Sequence, residues 1–279
     1  MCWKRKPTQR WNNSEDRIPN AKCGKIITAL FDKTQSLLAF GRGSFTQKRI
    51  WELDALRGVC ILAMVGIHLG YDLNSLYARQ PGVLFSLVQK WGGGIFFLLS
   101  GICATLGHRP LRRGLTVLGC GLLCTAATAA VYALGLADKG ILIWFGTLHC
   151  LGVCMLLWPL FRSVPTALLL AGGAVLTAAG IKLLLQPLVG PGWLLPVGIL
   201  PPDFATADYF PLLPFLGIFL LGACLGRRLY PGGIPRLRIP MPRPLGVLCA
   251  CGRWALPIYL LHQPVLAGFL YLIVWLRPV

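Results

Sequence analysis

From Trp51 onward the apolar residues run in long blocks separated by short connections. A hydrocarbon layer about 30 Å thick is crossed by ~20 helical residues. Seven blocks meet that length, at 51–71, 83–106, 111–135, 141–161, 164–186, 210–229 and 253–276. The pattern predicts an all-α polytopic integral membrane protein with about seven transmembrane helices. Residues 1–48 lack sustained apolar periodicity and are rich in Lys and Arg. They read as a basic arm, disordered or lying on the membrane surface, with a short interfacial helix over 26–40. No apolar h-region follows the charged start, so no signal peptide is expected. Residues 49–279 form the transmembrane domain.

Composition agrees. Apolar side chains make up 56% of the 279 residues and charged ones 13%, at a mean hydropathy of +0.67. A soluble domain carries about a quarter charged residues, and one this size cannot bury so much apolar surface. The 27 Lys and Arg against 9 Asp and Glu give +18, a charge that in a soluble chain would suggest nucleic acid. Here the cations sit in the arm and in the connections, so no nucleic-acid partner is expected. Arg109, Arg112, Arg113, Arg162, Arg227, Arg228, Arg236, Arg238, Arg243 and Arg253 share the arm's side. Opposite them stand Arg79, Lys139 and Arg277 with Asp72, Asp138, Asp203 and Asp208. The excess of Lys and Arg marks the cytoplasmic side, so the N-terminus is predicted inside and the C-terminus outside. The 11 cysteines lie mostly within the apolar runs. Cys120/Cys124 and Cys150/Cys154 have helical i,i+4 spacing, but no carboxylate accompanies either pair and no metal site is expected.

The first block carries the chemistry. At 100° per residue Asp54, Arg57, His68 and Asp72 fall within an arc of about 60°, and Arg57 and His68 stand about 16 Å apart along the axis. Ionisable groups in a membrane are costly and face the bundle interior or a wet cavity. Asp54 with Arg57 reads equally as a snorkelling i,i+3 pair. His68, with a carboxylate at i+4, is a candidate acid–base group with Asp72 as its orienting partner.

These residues carry a resemblance. The stretch LDALRGVCILAMVGIH (53–68) resembles the opening helix of the transmembrane acyltransferase superfamily, and Arg57, ten residues and His68 match the hallmark of its acyltransferase-3 branch. With WFGTLHCLG (144–152), DYFPLLPFLGIFLLGACLG (208–226) and GRWALPIYLLHQPV (252–265), the chain over about 49–276 resembles more closely the heparan-α-glucosaminide N-acetyltransferase catalytic-domain family in its short prokaryotic form. The resemblance implies transfer of an acetyl group from cytoplasmic acetyl-CoA to an acceptor on the other face, in a prokaryotic inner or plasma membrane. In the lysosomal enzyme of the family the acceptor is the terminal glucosamine of heparan sulfate. There the reactive His lies in a His-x-x-Trp-x-Gly sequence after the first helix. Residues 70–91 of this chain contain no His, so His68 takes that place among the candidates.

Further candidates follow from residue type and position. His149, near the outer end of the fourth block, is either a second catalytic group or a helix–helix hydrogen-bond donor. His262 and Gln263, between Pro257 and Pro264, contact substrate or satisfy carbonyls freed by the prolines. Asp208 is an outer cap or a ligand for an acceptor hydroxyl or amine, and Gln89 and Lys90 lie in the same outer half. His108 is a loop residue near the donor entrance. Arg109, Arg112 and Arg113 set topology and suit the phosphates of CoA, with Arg57 and Asp54 on the same donor side. Gly92, Gly93, Gly94 and Gly101 permit close helix packing or a gap for the pantetheine arm. The expected partners are membrane lipid, acetyl-CoA as donor rather than resident cofactor, and a carbohydrate or glycolipid acceptor, with a homo-oligomer left open. A transporter or flippase, or an inactive member of the fold, is the competing reading of the same polar stripe.

Overall fold

The computed structural model describes residues 50–77, 82–234, 236–237 and 239–276. The arm with its predicted helix over 26–40 lies outside the described residues, as do Arg79, Arg238 and Arg277. Among the described residues nine α-helices follow in order: α1 Trp51–Leu76, α2 Val83–Trp91, α3 Gly93–Leu106, α4 Pro110–Ala133, α5 Thr147–Phe161, α6 Thr166–Leu185, α7 Leu212–Leu229, α8 Gly246–Arg253 and α9 Ala255–Leu276. No strand occurs among the described residues. The chain is an all-α polytopic membrane protein, as its hydropathy pattern predicts.

Among the described residues six helical stretches are long and apolar enough to cross a membrane: Trp51–Leu76, Phe85–Leu106, Pro110–Ala133, Thr166–Leu185, Leu212–Leu229 and Ala255–Leu276. The block predicted over 141–161 is helical only over Thr147–Phe161. Hydropathy does not register what shortens it. Gly146 is extended, the backbone of Phe145 bridges to Tyr209, and a carboxylate from elsewhere in the chain caps the helix at Thr147. The block predicted over 253–276 is α9, and a separate short helix, α8, precedes it and turns into it at Trp254.

Without a hydrophobic driving force between helices in lipid, close association depends on small residues that let backbones touch. The main helix pairs all use glycine. In α1 against α8, a Cβ on Gly58 would collide with the Leu248 carbonyl, and one on Gly252 with that of Asp54. In α3 against α7, Gly101 faces the Phe219 carbonyl and Gly222 that of Leu98. Gly114 and Gly152 serve α4 against α5, and Gly173 and Gly217 serve α6 against α7. The Gly101 gap is thus filled by helix packing, and Gly93 lies against the Phe210 ring.

Phe97, Cys150, Trp158, Leu169, Phe215 and Phe219 form the largest core, where α3, α5, α6 and α7 meet. A second cluster of Ile50, Leu53, Leu99, Ile102, Cys103 and Tyr230 joins the start of α1 to the ends of α3 and α7. That cluster fixes which connections share an end. Arg109, Arg112 and Arg113 open α4 just beyond α3, and Arg227 and Arg228 sit in the last turn of α7. The Arg227 guanidinium donates to the carbonyls of Phe161, Arg162 and Val164, drawing the end of α5 to the same place. The basic connections therefore gather at one end of the bundle. Asp72, Asp208 and the start of α5 lie toward the other.

Candidate active site

Asp208 lies in the connection before α7 and reaches across to the first turn of α5. The Thr147 N–H donates to its Oδ2 at 2.8 Å and the Thr147 hydroxyl to its Oδ1 at 3.2 Å. A carboxylate there satisfies helix donors that have no partner within the helix and faces the positive end of the dipole. Gly146 makes room for it, since a Cβ at that position would overlap the carboxylate. The Tyr259 hydroxyl on α9 donates to the same Oδ2 at 3.3 Å. Burial pushes the Asp208 carboxyl above its ordinary range, against the pull of Thr147, Tyr259 and nearby His149. Asp208 is a cap, though of α5 rather than of its own helix.

His149, 3% exposed, is satisfied on both sides of its ring. The Gly146 N–H donates to Nδ1 at 3.3 Å, so the ring proton sits on Nε2. Nε2–H then donates to the Thr125 hydroxyl at 3.1 Å, and that hydroxyl passes its own proton to the Ile143 carbonyl at 2.7 Å. No lone pair is left over for a substrate. The ring holds α4, the Ile143–Gly146 segment and α5 together.

His262 is arranged otherwise. Its Nδ1 lies 2.5 Å from the Tyr259 carbonyl, which can only accept, so Nδ1 carries the proton and Nε2 the lone pair. Nε2 is buried and has no hydrogen-bond partner among the described residues. The His68 ring stands beside it, centroids 4.8 Å apart and planes at 63°. One residue on, the Gln263 amide donates to both oxygens of Asp72, at 3.3 and 3.2 Å. The hydrogen-bond donor that the Asp72 carboxylate meets is thus Gln263, on the neighbouring helix, and no bond joins it to His68.

Six residues singled out from the sequence therefore meet in one run: Asp72 with Gln263, His68 against His262, and Asp208 with the His149 corner of α5. Tyr259 and Thr147 link them and were missed. Tyr259 had a signal, since it precedes His262 by three residues and shares its helix face. Residues 49–264 match the family model described as heparan-alpha-glucosaminide N-acetyltransferase, catalytic. The chain belongs to that family. No curated protein and no solved structure matches this chain.

The donor-side candidates of this heparan-alpha-glucosaminide N-acetyltransferase family member lie at the basic end. The Arg57 Nη1 pairs with Asp54 Oδ1 at 2.8 Å, with Asp54 the more buried partner. Arg57 is about 16 Å along α1 from His68, at 1.5 Å per residue. His108 and Arg109 are exposed on the α3–α4 connection and Arg112 and Arg113 on the first turn of α4, with the Arg113 guanidinium lying over Gly107. Gln89 is exposed, and the side chain of Lys90 lies outside the described ones.

Proposed function

We propose that this protein transfers an acetyl group from acetyl-CoA, held at a cytoplasmic basic end, to a hydroxyl or amine at or beyond the opposite face of the cell membrane. The observation that carries the reading is the meeting of two imidazoles, His68 and His262, inside the bundle of a member of this family. Imidazole suits the task because it gives and takes a proton near neutral pH. The acceptor oxygen or nitrogen attacks the thioester carbonyl while His68 takes its proton. The tetrahedral adduct collapses, the C–S bond breaks, and the sulfur leaves with the proton returned from the imidazole. Alternatively His68 carries the acetyl between two such steps as an acetyl-imidazole.

Arg109, Arg112 and Arg113 hold the CoA phosphates by forked hydrogen bonds, and the Arg57–Asp54 pair lines the donor side. Asp72, Asp208, His262 and Gln263 stand on the acceptor side. A sugar or glycolipid is the acceptor that the family name favours. Detergent-purified protein should release CoA thiol from acetyl-CoA over many turnovers only when an acceptor is added, in a screen that starts from amino sugars and extends to hydroxyl acceptors. No CoA release with any acceptor would overturn the reading and leave the polar stripe to a transport role.

A further inference from the structure

A buried ring nitrogen with a lone pair and nothing to accept is expensive to keep. His262 Nε2 is such an atom. Its state is not ambiguous, because the Tyr259 carbonyl holds the proton on Nδ1. The surroundings narrow what it accepts from. Tyr259 spends its hydroxyl on Asp208, and Gln263 spends its amide on Asp72. The polar group left beside the His262 ring, with no hydrogen bond of its own among the described residues, is His68. An N–H···N bond of about 2.9 Å between two imidazoles sets their centres about 5 Å apart. These centres stand at 4.8 Å, with the planes crossed at 63°.

We propose that His262 is the positioning residue of this site: its Nε2 accepts the N–H of His68 and fixes the tautomer in which the other His68 nitrogen faces the acceptor. A base oriented by a third group is the general logic of such sites, and the bond is commonly loose until substrate binds. The step balances. As His68 takes the acceptor proton on one nitrogen, the proton on its other nitrogen moves to His262 Nε2. The positive charge then rests on His262, whose Nδ1–H donates to the Tyr259 carbonyl. When the C–S bond breaks, both protons step back and the acceptor's proton leaves on the CoA sulfur. Asp72 then orients the pair only through Gln263.

The claim about the tautomer stands without the acetyl-transfer reading; the claim about the proton rests on it. The test uses full-length protein in detergent micelles with 15N-labelled histidine, read by NMR, on wild type, His262→Leu and His262→Gln. Leu fills the space and offers no acceptor; Gln brings a carbonyl oxygen near the position of Nε2. Wild type should show His68 in one neutral tautomer, with His262→Leu giving a mixture and His262→Gln restoring the single form. In parallel, His262→Leu should lose about 10²-fold in kcat, the scale of a mispositioned acid–base group, at unchanged KM for acetyl-CoA. Gln should recover most of that loss. Mixed His68 tautomers in the wild type, or a His68 spectrum the same in the Leu variant, would overturn the proposal. A locked His68 in a protein that releases no CoA with any acceptor would keep the positioning role and reject the reaction.

Discussion

His68 and His149 are both membrane histidines, and their partners separate them. His149 has a donor on one nitrogen and an acceptor on the other, whereas His68 has no hydrogen bond among the described residues and stands against the His262 ring. His68→Ala should therefore leave an inserted protein that binds acetyl-CoA and transfers acetyl at least ~10²-fold more slowly. His149→Ala should instead lower the melting temperature, because it leaves the Gly146 N–H without its partner in a buried corner. Activity assays alongside thermal melts of the two variants distinguish them, and a stable His68→Ala protein of normal activity would end the catalytic claim. Asp208 makes a different prediction. Its carboxyl is raised above the ordinary 3.8 by burial. Between the unfolded and folded values the native state holds the extra proton, so stability present at low pH is lost as pH rises through the folded value. Relative to Asp208→Asn, the wild type should lose melting temperature from about pH 4 upward. Parallel curves for the two proteins would show that the cap carries no such penalty.

The helices are placed by their glycines more than by large side chains. Where α8 crosses α1, Gly252 lies against the Asp54 carbonyl and Gly58 against that of Leu248, so neither position has space for one more carbon. Gly252→Val should force the pair apart, at a cost of about 1–3 kcal/mol for overpacking. It should also disturb the His68–His262 approach, because α9 follows directly from α8. Gly119→Ala is the control: nothing lies within 4 Å of its Cβ position. Melting temperature in detergent, lowered for the first and unchanged or raised for the second, is the measurement. At the basic end Arg227 does the opposite work, reaching out to carbonyls beyond the end of α5 with its guanidinium over the Trp158 ring.

At the scale of the whole molecule, the gathering of arginines at one end makes orientation testable. Reporter fusions after residues 138 and 200 should behave as external and one after 236 as cytoplasmic. A cytoplasmic signal at 200 would remove a crossing between α4 and α7, where the 15-residue α5 is the shortest candidate. The same end is the proposed donor site. Replacing Arg112 and Arg113 together by Gln should raise the KM for acetyl-CoA with little change in kcat, since these charges bind the donor and the transition state alike.

The all-α membrane class, the blocks that became the long helices and the basic end all follow from the sequence alone. Hydropathy and charge bias act on each segment without reference to its neighbours, because the bilayer is the common solvent for all of them. The polar face of α1 was equally legible, since Asp54, Arg57, His68 and Asp72 lie on one helix and one period. Which of those groups meet a partner, and whose, was decided only in three dimensions. Asp208 is 61 residues from Thr147 and 51 from Tyr259, and Gln263 is 191 from Asp72. No local period reports pairings of that span. The short α5 is a case in point: its block reads as long as the others, and a carboxylate from the connection before α7 sets where the helix begins. His149 and His262 look alike as lone histidines in apolar runs. Their roles part because one ring meets partners on both nitrogens and the other keeps a buried lone pair beside His68.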